Sequence, residues 1–123
     1  MEETLIEILE EFNYPIYKQG TMSENEDYPE TFFTFWNNST YGDGYYDDKA
    51  SRYIWDFDVN VYSSDPEKIN KLLLQAKEKL EAKGFIVNEK GHDVISDVPT
   101  HTGRGIDVQI IEKWKMEVIY NGL

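Results

Sequence analysis

One stretch, from Arg52 to Gly84, most constrains the fold: a strand runs directly into a helix. In Arg52-Tyr53-Ile54-Trp55-Asp56-Phe57-Asp58-Val59-Asn60-Val61-Tyr62 the odd positions are Tyr53, Trp55, Phe57, Val59 and Val61. The even positions include Arg52, Asp56, Asp58 and Asn60. Alternation with a period of two predicts a strand with one buried and one polar face. Ser63-Ser64-Asp65-Pro66-Glu67 then reads as a helix start. Either Ser64 and Glu67 form a capping box, or Asp65 is the cap with Pro66 in the first helical position. Ile69, Leu72, Leu73, Ala76 and Leu80 follow at helical spacing, and Gly84 stops the helix as a left-handed C-terminal residue. The buried strand face and this helix stripe are the expected core, with Trp55 packed against Leu72.

The rest of the chain supplies elements to pack beside that unit. Leu5, Ile8, Leu9 and Phe12 predict an amphipathic helix over about Glu2 to Phe12. Ile16 and Tyr17 form a short strand, and Thr21 to Glu30 is a polar loop. Thr31-Phe32-Phe33-Thr34-Phe35-Trp36-Asn37 is a strand apolar on both faces, which places it inside the sheet or under a helix. Asn38 to Lys49, with its glycines, asparagine and aspartates, has the chemistry of a loop. Phe85 to Asn88 is a short strand, Gly91 to Asp93 a turn, Val94 to Val98 a second short strand, and Pro99 to Gly105 a turn or loop. Ile106, Val108 and Ile110 alternate with polar residues, and Trp114, Met116, Val118 and Tyr120 continue that parity in a long last strand. Helices do not alternate regularly with strands. The expected fold is therefore a single α+β domain over residues 1–123, a mainly antiparallel sheet flanked by an N-terminal helix and a longer central helix.

Charge and composition exclude several functions. Twelve basic residues face 24 acidic ones, a net charge of -12, which disfavours gripping nucleic acid or anionic lipid. With no cysteine, disulfides, thiolate catalysis and cysteine-ligated zinc are excluded. No leader segment is visible after Met1-Glu2-Glu3, and no apolar run approaches transmembrane length, so a cytoplasmic protein without a membrane partner is expected.

Constellations that carry chemistry are few. Asp56 and Asp58 share one strand face and are close enough to share a proton or a metal, although alternation alone places polar residues there. His92 and His101, the only histidines, have Asp93 and Asp97 nearby, but no regular element sets their spacing. Ser96, His101 and Asp107 form a Ser-His-Asp set only on paper, because no Gly-x-Ser-x-Gly elbow accompanies them. Gly103-Arg104-Gly105 leads into a strand rather than a helix, so it reads as a tight turn with positive-φ glycines, not a phosphate loop. Asp43, Asp47 and Asp48 lack calcium-loop spacing. Tyr41, Tyr45 and Tyr46 beside Asp47 and Asp48 read as a contact surface instead, since tyrosine buries much area at low entropic cost. The lysines and glutamates of the central helix form an ordinary solvated face. No catalytic residue, cofactor or metal is expected.

Several words of this sequence together resemble a known family. They are Phe33-Thr34-Phe35-Trp36-Asn37-Asn38, Tyr53-Ile54-Trp55-Asp56-Phe57-Asp58-Val59, Tyr62-Ser63, Gly84-Phe85 and Ser96-Asp97-Val98-Pro99-Thr100-His101-Thr102-Gly103-Arg104-Gly105. Over about Phe32 to Glu112 the chain resembles tail-completion or tail-terminator proteins, which join head and tail in long-tailed phages and prophages of Gram-positive bacteria. The resemblance implies a sheet flanked by helices and a ring of subunits, often hexameric, that caps the tail tube. Its partners would be further copies of itself, the major tail tube protein and the head completion or connector protein. DNA would pass through an acidic lumen without specific binding, and the protein would reside in the virion after assembly in the host cytoplasm. Tyr41, Tyr45, Tyr46, Asp47, Asp48, His101 and Arg104 are the candidate subunit or partner contacts. A small acidic binding or inhibitor module, mimicking DNA or engaging a basic partner, is the alternative.

Overall fold

The computed structural model describes residues 1–21, 28–46 and 49–113. Helix α1 (Glu2–Glu10) buries Leu5, Ile8 and Leu9 and ends where Asn13 turns to a φ of 61°. Asparagine tolerates that left-handed conformation better than most residues. Strand β1 (Ile16–Lys18) pairs in parallel with β2 (Thr31–Tyr46), and β2 pairs antiparallel with β3 (Lys49–Ser63). Helix α2 (Pro66–Ala82) follows, then the short strands β4 (Ile86–Val87) and β5 (His92–Val94) and the longer β6 (Thr102–Lys113). The sheet order is β1-β2-β3-β6-β4, and β5 also pairs with β6. All pairs but β1·β2 are antiparallel. The α+β architecture with an N-terminal and a central helix is the expected one.

Both helices pack on one face of the sheet. Phe33, Phe35, Phe57, Val59, Val61, Ile106, Val108 and Ile110 point into a core closed by Leu5, Ile8 and Leu9 from α1 and by Ile69, Leu72, Leu73, Ala76 and Leu80 from α2. All five α2 positions read from the helical spacing are buried. Of the two alternatives for its start, the structure uses Asp65, whose carboxylate accepts from Glu67 N at 3.0 Å with Pro66 in the first turn. Buried Ser63 ties the strand to this cap: its Oγ accepts from Asp65 N at 3.0 Å and bonds Thr31 Oγ1 at 2.9 Å. Gly84 ends the helix at a φ of 94°. Trp55 departs from expectation: it is only partly buried, stacked on Phe57 at 5.9 Å, with its indole N–H donating to Glu112 Oε1.

Three further expectations are corrected. Asn38 to Lys49 is not a loop: β2 continues to Tyr46 and β3 begins at Lys49, with Tyr46 opposite Lys49. A one-residue bulge at Asn38 absorbs the register shift between Asn37 and Ser39, and backbone pairing with β3 overrides the weak strand propensity of asparagine, glycine and aspartate. Pro99 to Gly105 is not wholly a turn, because β6 starts at Thr102 and neither Gly103 nor Gly105 has a positive φ. These glycines make room across strands instead. A Cβ on Gly103 would lie 2.7 Å from the Tyr62 ring, and one on Gly105 would overlap the Asn60 amide. The short strand expected at Val94 to Val98 lies earlier, at His92–Val94, where the Gly91-to-Asp93 turn was expected. Gly91, with a φ of 126°, directly precedes it. Asp47, Asp48 and the Trp114 to Tyr120 continuation of the last strand lie outside the described residues.

Candidate functional site

The two described helices do not cover the other face of the sheet. Register places its side chains in rows across β2, β3 and β6. From one end these are Phe32-Tyr62-Gly103, Thr34-Asn60-Gly105, Trp36-Asp58-Asp107, Ser39-Asp56-Gln109, Tyr41-Ile54-Ile111 and Asp43-Arg52-Lys113. Phe32, apolar on this outer side, is buried by rings rather than by a helix. Tyr62 stacks on it at 5.2 Å, and Tyr17, Tyr28 and His101 surround it. Beside this cluster lies a cleft of about 150 Å³, lined in part by Tyr17, Tyr28, Thr34, Tyr62 and Asp97.

Beyond the aromatic cluster the face is open among the described residues. Of the seven large hydrophobic side chains exposed among the described residues, Trp36, Tyr41, Ile86 and Ile111 lie on it, so the exposure is concentrated rather than scattered. They surround an acidic centre. Asp56 accepts from Asn38 Nδ2 at 3.1 Å and from Gln109 Nε2 at 2.9 Å. Burial works against its charge, but hydrogen bonds from Asp107, Gln109 and Asn38 together hold its carboxyl below the usual range. Asp107 is pushed the other way, to about 7, by burial, by the hydrogen bond to Asp56 and by the charges of Asp56, Asp58 and Glu89. One carboxylate of the pair is therefore ionised and the other retains a proton until near neutrality. Asp107 Oδ1 is buried without a hydrogen-bond partner. The Asp58 carboxylate, opposite both Trp36 and Asp107, makes no hydrogen bond or ion pair with the described residues.

The structure redistributes the residues singled out by sequence. Tyr41 reaches the open face, Tyr45 lies against Gly42 on the opposite phase of the strand, and the Tyr46 side chain and Asp47 and Asp48 lie outside the described part. His101 sits near Tyr28 and Phe32, its Nε2 2.8 Å from Pro29 O and its Nδ1 2.9 Å from Thr100 Oγ1. Two hydrogen bonds and flanking rings make it a latch between two segments. Arg104 points to the helix side opposite Val61 and donates to Asp93 at 2.9 Å. Neither joins the tyrosines. The Ser96-His101-Asp107 set is not assembled, since Ser96 Oγ accepts from Val98 N, His101 bonds Pro29 and Thr100, and Asp107 bonds Asp56. His92 pairs with Glu89, and among the described residues no group of three or more His, Asp or Glu is arranged to hold a metal ion. No described helix is long and apolar enough to cross a membrane.

Sequence reasoning saw the shared face of Asp56 and Asp58 but missed their neighbours Trp36, Asp107 and Ile111. The available signal was parity: Trp36, Ile54 and Ile111 are apolar residues on the polar phase of their strands. Compared with known proteins, the chain matches no family model and no curated protein.

Proposed function

We propose that this chain is a structural subunit of a phage virion, forming a ring at the head–tail junction that completes the tail tube and joins it to the head connector. The observation that supports this reading is the face left bare by the described helices, where four exposed hydrophobic side chains lie together. A soluble domain retains such a surface when another protein covers it. The family resemblance read from the sequence supplies the identity of the assembly. In this reading the partners are neighbouring copies, the major tail tube protein and the head completion protein, and DNA passes through without specific binding. A net charge of -12 suits that passage, because acidic walls repel phosphate. It also opposes ring closure, so assembly strengthens as salt screens the repulsion.

Negative-stain microscopy and sedimentation across protein and salt concentration test the proposal. Closed rings that accumulate at high protein and high salt are expected. A sharp monomer under every condition, including in the presence of the tube and connector proteins, overturns it. The acidic centre at Asp56, Asp58 and Asp107 favours the second reading, a small acidic module that engages a basic protein. Persistent monomers that bind a basic protein with salt-sensitive affinity select that one.

A further inference from the structure

The row Trp36-Asp58-Asp107 crosses three adjacent strands on the uncovered face. Neighbouring side chains in such a row stand about 5 Å apart, so Trp36 and Asp58 lie within reach of one extended side chain from outside. Trp36 is 45% exposed and offers a large π surface. Asp58 has no partner among the described residues, whereas Asp107 Oδ1 is enclosed and closed to a donor from outside. Asp56 differs, since its oxygens already accept from Asn38 and Gln109. The apolar residues Tyr41, Ile54 and Ile111 lie two rows away on the same face, and Ile86 lies beyond Gln109.

We infer that this face docks a different protein through an arginine set among apolar residues, its guanidinium stacked on Trp36 and hydrogen-bonded to Asp58. Charge complementarity selects a cation. Geometry selects arginine over lysine, because a planar guanidinium stacks on an indole and presents paired N–H groups to carboxylates, whereas an ammonium is a strongly hydrated point charge. The apolar surround is met by apolar contacts and lowers the local dielectric around the ion pair. A second copy is a poor source of the arginine. The chain's own two arginines, Arg52 and Arg104, are held by Asp43 and Asp93. The inference deepens the proposed function by assigning this face to a connector or tube protein rather than to a sibling subunit.

The test uses the full chain, isotope-labelled, titrated with the capped peptide acetyl-Leu-Arg-Leu-amide and with versions carrying citrulline or lysine in place of arginine. Backbone amide shifts at Asp58 and Asp107 and the Trp36 indole shift are followed. The arginine peptide is expected to move these signals and to bind about tenfold more tightly than the citrulline peptide, the scale of one charge-assisted contact. The lysine peptide should fall between them. Asp58→Asn should abolish the arginine preference with its thermal midpoint unchanged, and Trp36→Leu should weaken the arginine peptide while leaving the fold intact. Equal shifts by arginine and citrulline, or shifts confined to the cleft near Tyr28 and Asp97, overturn the inference. So does an absence of shifts with a sedimentation coefficient above that of a monomer, which means that a second copy covers the face. So does an absence of shifts that is relieved by truncation after Lys113, which means that the chain's own C-terminal residues cover it. Rings without an arginine preference overturn this inference and leave the proposed function standing. An arginine preference without rings under any condition does the reverse.

Discussion

The two faces of β3 belong to the same strand yet follow different rules. Toward the helices it presents Phe57, Val59 and Val61, each fully buried. Toward the open side it presents Ile54, Asp56, Asp58, Asn60 and Tyr62. The first face is dry, and its energetics are those of apolar area removed from water and close packing. The second mixes hydrogen-bonded carboxylates with exposed apolar groups, and its energetics are local and depend on pH. Stability should therefore reside on one side of the strand and recognition on the other.

The largest effect is expected on the helix side. Phe57→Ala should cost about 3–5 kcal/mol in denaturant unfolding, because the ring is fully enclosed and its loss leaves a cavity. A loss under about 1 kcal/mol would mean that the helices do not close this core. Next comes Gly105→Ala, where the new methyl meets the Asn60 amide. It should destabilise by about 1–3 kcal/mol, and most of that cost should vanish in the Asn60→Ala background. An equal penalty in both backgrounds would locate the strain elsewhere.

A pH profile separates the faces further. Asp107 has a folded value near 7, raised from an ordinary 3.8. Below the ordinary value both folded and unfolded chains are protonated, and the stabilising contribution is fully present. As pH rises toward 7 the unfolded chain releases the proton first, so the contribution falls and is lost once pH passes the folded value. The thermal midpoint of the parent should therefore decline from pH 4 to 7 relative to that of Asp107→Asn. Parallel profiles would mean that Asp56 and Asp107 do not share the proton. The smallest effect is expected for Trp36→Ala, which should change stability by less than about 0.5 kcal/mol, since the indole is exposed and outside the core cluster. A larger loss, read in the same denaturant experiment, would mean that the open face is structural.

What was legible in the sequence depended on how local its cause is. The β3 alternation, the Asp65 cap, the Ile69 to Leu80 stripe and the Gly84 stop each arise within a few residues, and each was found where expected. The loop expected over Asn38 to Lys49 is not found because strand conformation there is imposed by a partner. Asparagine, glycine and aspartate favour turns by themselves, and only the ladder to β3 holds them extended. The same holds at Gly103 and Gly105. Their absent side chains answer to Tyr62 and Asn60, some forty residues earlier in the chain, rather than to any turn.

The candidate site divides in the same way. Sequence alone placed Asp56 and Asp58 on one strand face, because side chains two apart on a strand must share it. It also determined the acid excess and the lack of thiol chemistry, which are properties of composition. Only the tertiary structure brought Asp107 beside Asp56, set Trp36 against Asp58 and left that face without a helix among the described residues. Strand order and register decide those meetings. They are set by the joint packing of the core face across β2, β3 and β6, where a slip of one residue would turn every side chain of a strand to the opposite side.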